Sequence, residues 1–379
     1  MKPIGLYLHI PFCDGKCPYC DFYSMSAGEE AKDAYTKALC ESLRKWGALV
    51  GHRPVDTVYF GGGTPVLLGA CRLNRVLRDA ASAFQLLPDS EITVEANPVA
   101  TLQPELELLA QAGFNRISFG MQSAQEDELR FLGRRHTVED AQKAVLAAER
   151  AGFRNISLDL MLGLQGQTAQ SAEESVDYCA ELGVQHVSAY LLKVEEGTPF
   201  AKRRLDLPDE EAQREIYLAV CSRLEQRGFR QYEISNFSMP GKESRHNLKY
   251  WNDEEYLGLG PAAHSFLGGR RFYAPRDLGR FLTGATPIDE EAEEDGGIAA
   301  DSPEEALMLR LRLTEGLRET DFRRRFGEAI PAVWRERAGA LAAQSGQDGP
   351  TLLICDDVGI RLTREGFLVS NSIIARILG

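Results

Sequence analysis

Residues 9–22 of the chain read HIPFCDGKCPYCDF and place Cys13, Cys17 and Cys20 in a C-x3-C-x2-C pattern directly after an apolar segment. For a chain with eight cysteines in 379 residues, chance alone would put two more cysteines at these offsets with a probability of about 0.004. Three thiolates on one short loop lack the fourth ligand of a structural zinc site. They suit a [4Fe–4S] cluster that keeps one iron open to a small molecule. A redox thiol pair, or a zinc loop completed by a distant histidine, is the alternative.

The composition around this loop is that of an ordinary globular protein, with 44% hydrophobic and 26% charged residues. A formal net charge of −13 disfavours a nucleic-acid partner, which requires a cationic face. No apolar run reaches the roughly 18 residues of a membrane helix, and the N-terminus lacks the features of a signal peptide. The five other cysteines are scattered singly, as buried thiols are. We therefore expect a cytoplasmic protein.

The first 235 or so residues alternate short apolar segments with longer amphipathic ones. Such alternation predicts parallel β/α units with right-handed crossovers, whose chemistry gathers at the carboxyl ends of the strands. The predicted strands are Ile4–His9, Thr57–Phe60, Glu91–Glu95, Arg116–Phe119, Asn155–Leu160 and His186–Tyr190. The predicted helices are Glu29–Leu49, Leu73–Phe84, Gln103–Ala112, Ala141–Ala151, Ala169–Leu182 and Asp209–Arg227.

The amino-acid composition of the chain changes near residue 238. Residues 238–300 are rich in Gly and Pro and contain an acidic run at 289–295, which we interpret as a solvated linker. In residues 301–379, helices are followed by two short strands and a final helix, an order that predicts a smaller winged-helix-like α+β domain. The predicted elements are the helices Glu304–Leu313 and Pro331–Ala343, the strands Thr351–Cys355 and Gly359–Thr363, and the helix Gly366–Leu378. The predicted segments are therefore 1–237, 238–300 and 301–379. The arginine triplet 323–325 is interpreted as a local patch, because the last segment as a whole contains 11 Arg and 12 acidic residues.

Polar residues and glycines follow the predicted strands. Residues 61–65 read GGGTP after the second strand, and glycines allow a close backbone approach to a ligand. Glu95 ends the third strand and Gln122 follows the fourth. Asp159 lies within the apolar fifth strand, where an ionised acid is costly unless paired, so a structural salt bridge is the alternative to a binding role.

Together these motifs resemble the radical S-adenosylmethionine (SAM) superfamily. In that superfamily three cysteines hold the cluster, and the fourth iron chelates the amino and carboxylate groups of the methionine moiety. The resemblance implies an α/β fold built on a partial (β/α)6 TIM-like barrel, with reductive cleavage of the sulfonium to a 5′-deoxyadenosyl radical. The cofactor supplies that chemistry while the protein orients and shields it.

The order and spacing of the motifs resemble the subfamily that contains oxygen-independent coproporphyrinogen dehydrogenase and the HemW heme chaperones. The resemblance implies that the forked guanidinium of Arg134 binds the methionine carboxylate. It also implies that Glu95 binds the ammonium and that Gln122 or Asp159 binds the ribose hydroxyls. Gln165 stands where the family generally has proline. The implied SAM contacts are Tyr7, Tyr19, Gly62, Gly63, Thr64, Glu95, Gln122, Arg134 and Asp159.

Two features divide this subfamily. The dehydrogenases carry a further cysteine two residues beyond the third cluster ligand, whereas this chain has Phe22. The chain also has the H-N-x-x-Y-W motif associated with heme binding, at His246, Asn247, Tyr250 and Trp251. Imidazole is a common axial ligand of heme, and the aromatic rings offer flat apolar surface to the macrocycle.

A histidine beside aromatic residues is otherwise usually a packed, hydrogen-bonded element. His264 is a second candidate ligand for heme. The resemblance therefore implies a heme chaperone that binds a [4Fe–4S] cluster, SAM and heme and delivers heme to an acceptor hemoprotein at the membrane, with cluster-linked dimerisation. Oxidative decarboxylation of coproporphyrinogen III to protoporphyrinogen IX is the alternative, followed by a radical reaction on an unrelated small molecule.

Overall fold

Six parallel strands form the centre of the fold in this computed structural model, which describes residues 2–98, 103–284 and 298–379. All six were predicted, and most are longer than the sequence pattern indicates. The strands are β1 (Ile4–Ile10), β2 (Pro54–Gly62), β3 (Gln85–Ala96), β4 (Arg116–Gln122), β5 (Ile156–Leu162) and β6 (His186–Leu191). The α/β partial barrel expected from the sequence is thereby confirmed.

Helices connect these strands and cover one face of the sheet. Their apolar stripes pack on the outward-facing side chains of the strands, such as Leu6 and Leu8 of β1, which are fully buried. The helices are α1 (Glu29–Leu49), α2 (Ala70–Ala83), α3 (Gln103–Ala112), α4 (Glu126–Phe131), α5 (Val138–Ala151), α6 (Ala169–Glu181) and α7 (Glu210–Gln226). Only the short α4 lies outside the predicted helices, because six residues are too few to show a helical period.

The side chains on the other face of these strands, away from the helices, are unusually polar for buried positions. Tyr7 and His9 of β1 alternate with its apolar residues, and Ser157 and Asp159 alternate likewise along β5. Because successive side chains of a strand point to opposite faces, these polar groups all line the concave interior of the barrel. The interior is therefore built for polar chemistry, while the helix-covered face carries the apolar core.

Five short strands that were not predicted extend the sheet to the order β11-β10-β9-β1-β2-β3-β4-β5-β6-β8-β7. They have two to four residues each, which is too short for a period-2 signal. They are β7 (Arg230–Gln231), β8 (Asn236–Ser238), β9 (Tyr256–Leu259), β10 (His264–Leu267) and β11 (Arg270–Tyr273). Two helices, α8 (Arg245–Trp251) and α9 (Leu278–Leu282), belong to the same part of the chain. The acidic run 289–295 lies outside the described residues.

The C-terminal segment forms a second apolar cluster around a three-stranded antiparallel sheet of order β12-β14-β13. Its helix-strand-helix-helix-hairpin order is winged-helix-like, as predicted. The predicted final helix is in fact two helices, because Val369 leaves the helical conformation with φ −117° and ψ 21°. The elements are α10 (Pro303–Arg310), β12 (Leu317–Arg318), α11 (Glu319–Phe326), α12 (Ala332–Asp348), β13 (Leu353–Cys355), β14 (Gly359–Leu362), α13 (Arg364–Leu368) and α14 (Ser370–Leu378).

Ion pairs join the C-terminal segment to the sheet extension. The side chain of Asp253 accepts from Arg271 at 2.8 Å and from Arg325, and its carboxylate is fully buried. The other two arginines of the predicted patch, Arg323 and Arg324, pair with acids of their own helix α11. The triplet is thus neutralised locally. Across the described ranges, no helix is long and apolar enough to span a membrane.

Candidate functional site

The cysteine loop leaves the carboxyl end of β1 and is fixed by the turn that follows β2. The amide of Gly63 donates to the carbonyl of Ile10 at 2.9 Å, and the amide of Thr64 donates to the carbonyl of Phe12 at 2.7 Å. A Cβ on Gly63 would lie 2.5 Å from that Phe12 oxygen, and one on Gly62 would lie 2.6 Å from the ring of His9. The packing of the cysteine loop therefore requires glycine at positions 62 and 63. Contact of these two glycines with a ligand stays a prediction.

A continuous chain of hydrogen bonds connects the first and second cysteines across the strand ends. The thiol of Cys13 lies 3.5 Å from the hydroxyl of Thr64, which accepts from Asn97 at 2.9 Å. Nη2 of Arg134 donates to the amide oxygen of Asn97 at 2.6 Å, and Nη1 donates to the sulfur of Cys17 at 3.6 Å. Three side chains, which follow β2, β3 and α4 respectively, thus hold the sulfur-bearing loop in place.

The three cysteines have the chemistry that an iron–sulfur cluster requires. Cys13, Cys17 and Cys20 are free thiols, and each is partly exposed at the open end of the barrel. Burial raises the pKa of Cys20, and the neighbouring thiolates raise it further. Within the described part of the chain no three such side chains converge on one metal ion. The donor set itself, three cysteine thiols on one loop, has the chemistry of the cysteine ligands of an iron–sulfur cluster.

Glu95 lies beside the cysteine loop at the end of β3. Its Oε1 accepts from the hydroxyl of Tyr59 at 2.7 Å, and its Oε2 accepts from the amide of Gly62 at 3.1 Å. The pKa of Glu95 is raised to about 7, chiefly because the carboxyl is removed from water and further because Asp159 is near. A cation placed beside this carboxyl would favour its ionised form.

Asp159 and Gln122 occupy the neighbouring strands β5 and β4. The carboxylate of Asp159 accepts from the hydroxyl of Ser118 at 3.1 Å, and burial raises its pKa. In the described ranges no basic side chain pairs with Asp159, so the structural salt bridge considered from sequence is not present. Gln122 accepts from the hydroxyl of Tyr190 at 2.9 Å and holds a left-handed backbone with φ 73°. Such a conformation is unusual for a residue other than glycine and marks a local constraint.

The two tyrosines of the predicted SAM site lie on β1 and on the cysteine loop. The hydroxyl of Tyr7 is 3.0 Å from Nδ1 of His9, inside the barrel. Tyr19 belongs to the loop itself, where its ring packs 6.2 Å from that of Phe200. Phe22, two residues beyond Cys20, is 67% exposed. Its ring is therefore on the surface of the loop and closes no cavity.

The H-N-x-x-Y-W motif forms helix α8, and the structure places its histidine inside the barrel. His246 is 1% exposed. Its Nδ1 lies 2.8 Å from the hydroxyl of Thr57, and its Nε2 lies 2.8 Å from the hydroxyl of Tyr250. Burial, followed by the charge of Lys249, lowers the pKa of His246 to about 3. The imidazole is therefore neutral, and both ring nitrogens are engaged within the protein in this conformation.

The rest of the motif is held close to the amino-terminal ends of the strands. The carboxylate of Glu91 accepts from the backbone amides of Arg245 and His246, both at 3.0 Å. The buried ammonium of Lys249 pairs with Asp56 at 2.9 Å. The remaining predicted heme residues, Asn247, Tyr250 and Trp251, are all partly exposed. His264 lies apart from them on β10, where its exposed ring stacks 5.3 Å from that of Tyr273.

Sequence reasoning missed four residues that hold this site together. Asn97, directly after β3, links the two cysteines through Thr64 and Arg134, and a polar residue just past a strand end was an available signal. Thr57 and Tyr59 are alternate residues of β2, and Glu91 of β3 is the partner of Thr57 in the register of the two strands. Their polar character at inward positions could be read from the sequence, but their partners are distant in the chain.

Two family models match the chain. The Radical SAM superfamily matches residues 7–179, and the HemN C-terminal domain matches residues 299–369. The chain is 34% identical to the heme chaperone HemW of Bacillus subtilis, with 98% of each chain covered. It is 37% identical to the heme chaperone HemW of Mycobacterium tuberculosis, with 100% of this chain and 95% of that chain covered. Among solved structures, the radical SAM enzyme coproporphyrinogen III oxidase (HemN) of Escherichia coli is similar in fold, with a TM-score of 0.81 and 23% identity over 99% of this chain and 90% of that one.

Proposed function

The chain belongs to the HemW heme-chaperone family of the radical SAM superfamily, and we propose that it binds heme and delivers it to an acceptor hemoprotein. The observation that carries this proposal is the identity of 34% and 37% to two heme chaperones over nearly the whole chain. The likeness to coproporphyrinogen III oxidase concerns the fold. Phe22 supports the chaperone over a decarboxylase, because an aromatic ring cannot replace the redox or ligand chemistry of a thiol.

We propose that Cys13, Cys17 and Cys20 hold a [4Fe–4S] cluster and that SAM docks beside it. When bound, the cluster supplies one-electron chemistry at its open iron. The chain's own residues orient the nucleotide and keep water out. In this proposal Glu95 takes the ammonium of the methionine moiety and Arg134 takes its carboxylate. The raised pKa of Glu95 supports its part, because a cation beside the carboxyl offsets the cost of removing its charge from water.

The ribose hydroxyls are proposed to bind at Asp159 and Gln122. The carboxylate of Asp159 already accepts from the hydroxyl of Ser118, and a carboxylate has the capacity to accept from further hydroxyls. Tyr7, Tyr19, Gly62, Gly63 and Thr64 complete the proposed SAM contacts. Thr64 and Gly63 are already hydrogen-bonded to the cysteine loop, so nucleotide and cluster would share one rigid frame.

We propose that heme binds at helix α8, with Tyr250 and Trp251 against the macrocycle and His246 as axial ligand. In the conformation described, both nitrogens of His246 are engaged. Ligation therefore requires the imidazole to exchange its bonds to Thr57 and Tyr250 for the bond to iron. The neutral state of His246 suits a metal ligand.

The test is a heme titration of anaerobically reconstituted protein, followed by absorbance, with wild type compared with His246→Ala. His186→Ala is the matched control, because His186 is equally buried and both its nitrogens are engaged, by Ser157 at 2.7 Å and by Tyr232 at 2.8 Å. We expect stable heme binding in wild type and in the control and at least tenfold weaker binding in His246→Ala, as for loss of about 1.4 kcal/mol or more. Wild-type protein that binds no heme would overturn the chaperone proposal. Turnover of coproporphyrinogen III by the same sample would favour the decarboxylase instead.

Further parts of the proposal concern partners and organisation. We propose a cytoplasmic location, an acceptor hemoprotein at the membrane and a cluster-linked homodimer, all on the basis of the family. We also propose that residues 1–237, 238–300 and 301–379 act as barrel, connecting region and C-terminal domain. The second apolar cluster, formed by residues between Leu307 and Ile377, supports the last of these divisions.

A further inference from the structure

Helix α8 contacts the proposed SAM site through the ring of His246. The ring of His246 stacks on that of Tyr59 at a centroid distance of 5.2 Å and an interplanar angle of 25°. The hydroxyl of Tyr59 donates to Glu95 at 2.7 Å, and Glu95 in turn holds the amide of Gly62. Three successive contacts thus connect the N-terminal turn of α8 with the glycine turn at the opposite end of the strands.

The ring of Tyr59 has little freedom to move away from this position. A Cβ on Gly61 would lie 2.9 Å from its Cε1 and 3.0 Å from Cε2 of Tyr7, so the backbone of β2 closes one side of both rings. The ring of Tyr7 lies 6.2 Å from that of Tyr59 and 6.4 Å from that of His246. The three rings therefore form one compact, partly stacked cluster, in which His246 packs from the side of α8.

His246 cannot reach a heme iron without leaving this cluster of rings. A Cβ on Gly5 would lie 3.1 Å from its Cε1, so the imidazole already packs against the backbone of β1. Both of its nitrogens are engaged, and it is closed off from solvent. A ligand that binds His246 outside the barrel therefore binds a state in which the ring of Tyr59 no longer packs against the imidazole.

We infer that His246 is a positioning residue for the SAM site, acting through Tyr59 on Glu95, so that heme ligation by His246 and a fully formed SAM site oppose each other. This inference deepens the proposed function and rests on it. The opposition is a coupling free energy between two sites, and it is reciprocal: SAM must weaken heme binding by the same factor by which heme weakens SAM binding. A chaperone built this way carries heme in one state and SAM in the other.

The first experiment measures SAM affinity of the heme-free, cluster-reconstituted protein for His246→Ala, Tyr59→Phe and the double variant. Loss of a hydrogen bond to a buried carboxylate weakens binding by about tenfold, so we expect each single variant to lose about that factor. The double variant should lose no more than either single one, because both changes break the same chain of contacts. His186→Ala, which removes an equally buried imidazole outside this cluster of rings, should change the affinity by less than about twofold.

Two further variants and readouts separate positioning from general destabilisation. His246→Phe keeps a flat ring against Tyr59 but cannot ligate iron, so it should retain SAM affinity within about threefold while losing heme. In the cluster-free protein, hydrogen exchange of the Gly62 amide should be faster in His246→Ala and Tyr59→Phe and unchanged in His186→Ala. Wild-type SAM affinity and wild-type exchange in His246→Ala, or fully multiplicative losses in the double variant, would overturn the inference.

The second experiment adds heme to wild type and to His246→Phe before SAM is titrated. We expect saturating heme to weaken SAM binding by about tenfold in wild type and to have no effect in His246→Phe. Heme and SAM that bind wild type independently would overturn the inference and leave the chaperone proposal standing. Wild type that binds no heme would overturn the chaperone proposal, while the heme-free variants would still decide whether His246 positions Glu95.

Discussion

Replacing Gly63 by alanine tests whether the turn after β2 holds the cysteine loop. The added Cβ would lie 2.5 Å from the carbonyl oxygen of Phe12, 2.9 Å from its carbonyl carbon and 3.1 Å from the oxygen of Ile10. All three neighbours are backbone atoms, which cannot swing away as the end of a side chain can. Since ordinary contacts of a Cβ begin at 3.4 Å, the loop must retreat by roughly 0.9 Å.

Such a retreat has two energetic components. Overpacking of this kind costs about 1–3 kcal/mol. The same shift stretches the bonds from the amides of Gly63 and Thr64 to the loop, now 2.9 and 2.7 Å, and each such bond contributes about 1 kcal/mol. Because the two bonds are stretched rather than broken, they lose about 1 kcal/mol together, and the expected total is about 2–4 kcal/mol. With an unfolding entropy of about 2.1 cal/mol/K per residue, this lowers Tm by about 3–5 °C in a chain of 379 residues.

The assay pairs thermal unfolding of the cluster-free protein with iron content after anaerobic reconstitution. We expect Gly63→Ala to unfold a few degrees earlier and to retain less than half of the wild-type iron, because Cys13 follows the displaced Phe12 directly. Gly339→Ala is the matched control, since nothing lies within 4 Å of the added Cβ there. A Gly63→Ala protein with wild-type Tm and full iron content would refute the reasoning.

Three other predictions follow from the same contacts. Cys17→Ala should abolish the brown absorbance of the cluster while far-UV circular dichroism stays that of wild type, because the partly exposed thiol contributes little to the core; loss of the fold would show that the loop is structural. Glu95 binds a proton more tightly when folded, with a pKa of about 7 against an ordinary 4.5, so its share of the stability should fall as pH rises from about 4.5 to about 7. In Glu95→Gln that pH dependence, measured by urea unfolding, should be weaker than in wild type, and identical profiles would contradict this account of the carboxyl. Asp253→Asn should destabilise the contact between the sheet extension and the C-terminal segment by about 3 kcal/mol, because Arg271 and Arg325 lose a fully buried charged partner; limited proteolysis that releases no C-terminal fragment would argue against it.

The sequence was most informative where a single local pattern decides the structure. The crossover helices α1 and α3 have their predicted bounds, because apolar periodicity over ten or more residues reflects burial on one face. The six central strands are also present, although β2 and β3 begin earlier in the chain than their apolar segments indicated. The short strands β7–β11 gave no such signal. The last helix was predicted as one, and its break at Val369 comes from packing, since Phe367 and Ile373 are both buried in the second apolar cluster.

The sequence by itself determined which side chains the cysteine loop carries and at which end of the strands it lies. Both follow from neighbouring residues, because three thiols within eight residues directly follow the first strand. Only the tertiary structure decided where the side chains of the H-N-x-x-Y-W motif lie. Its histidine meets Thr57 and Tyr59, almost 190 residues earlier in the chain, and no local pattern encodes a pairing over that distance. The motif predicts a metal ligand, whereas the fold packs the same imidazole inside the barrel against Tyr59.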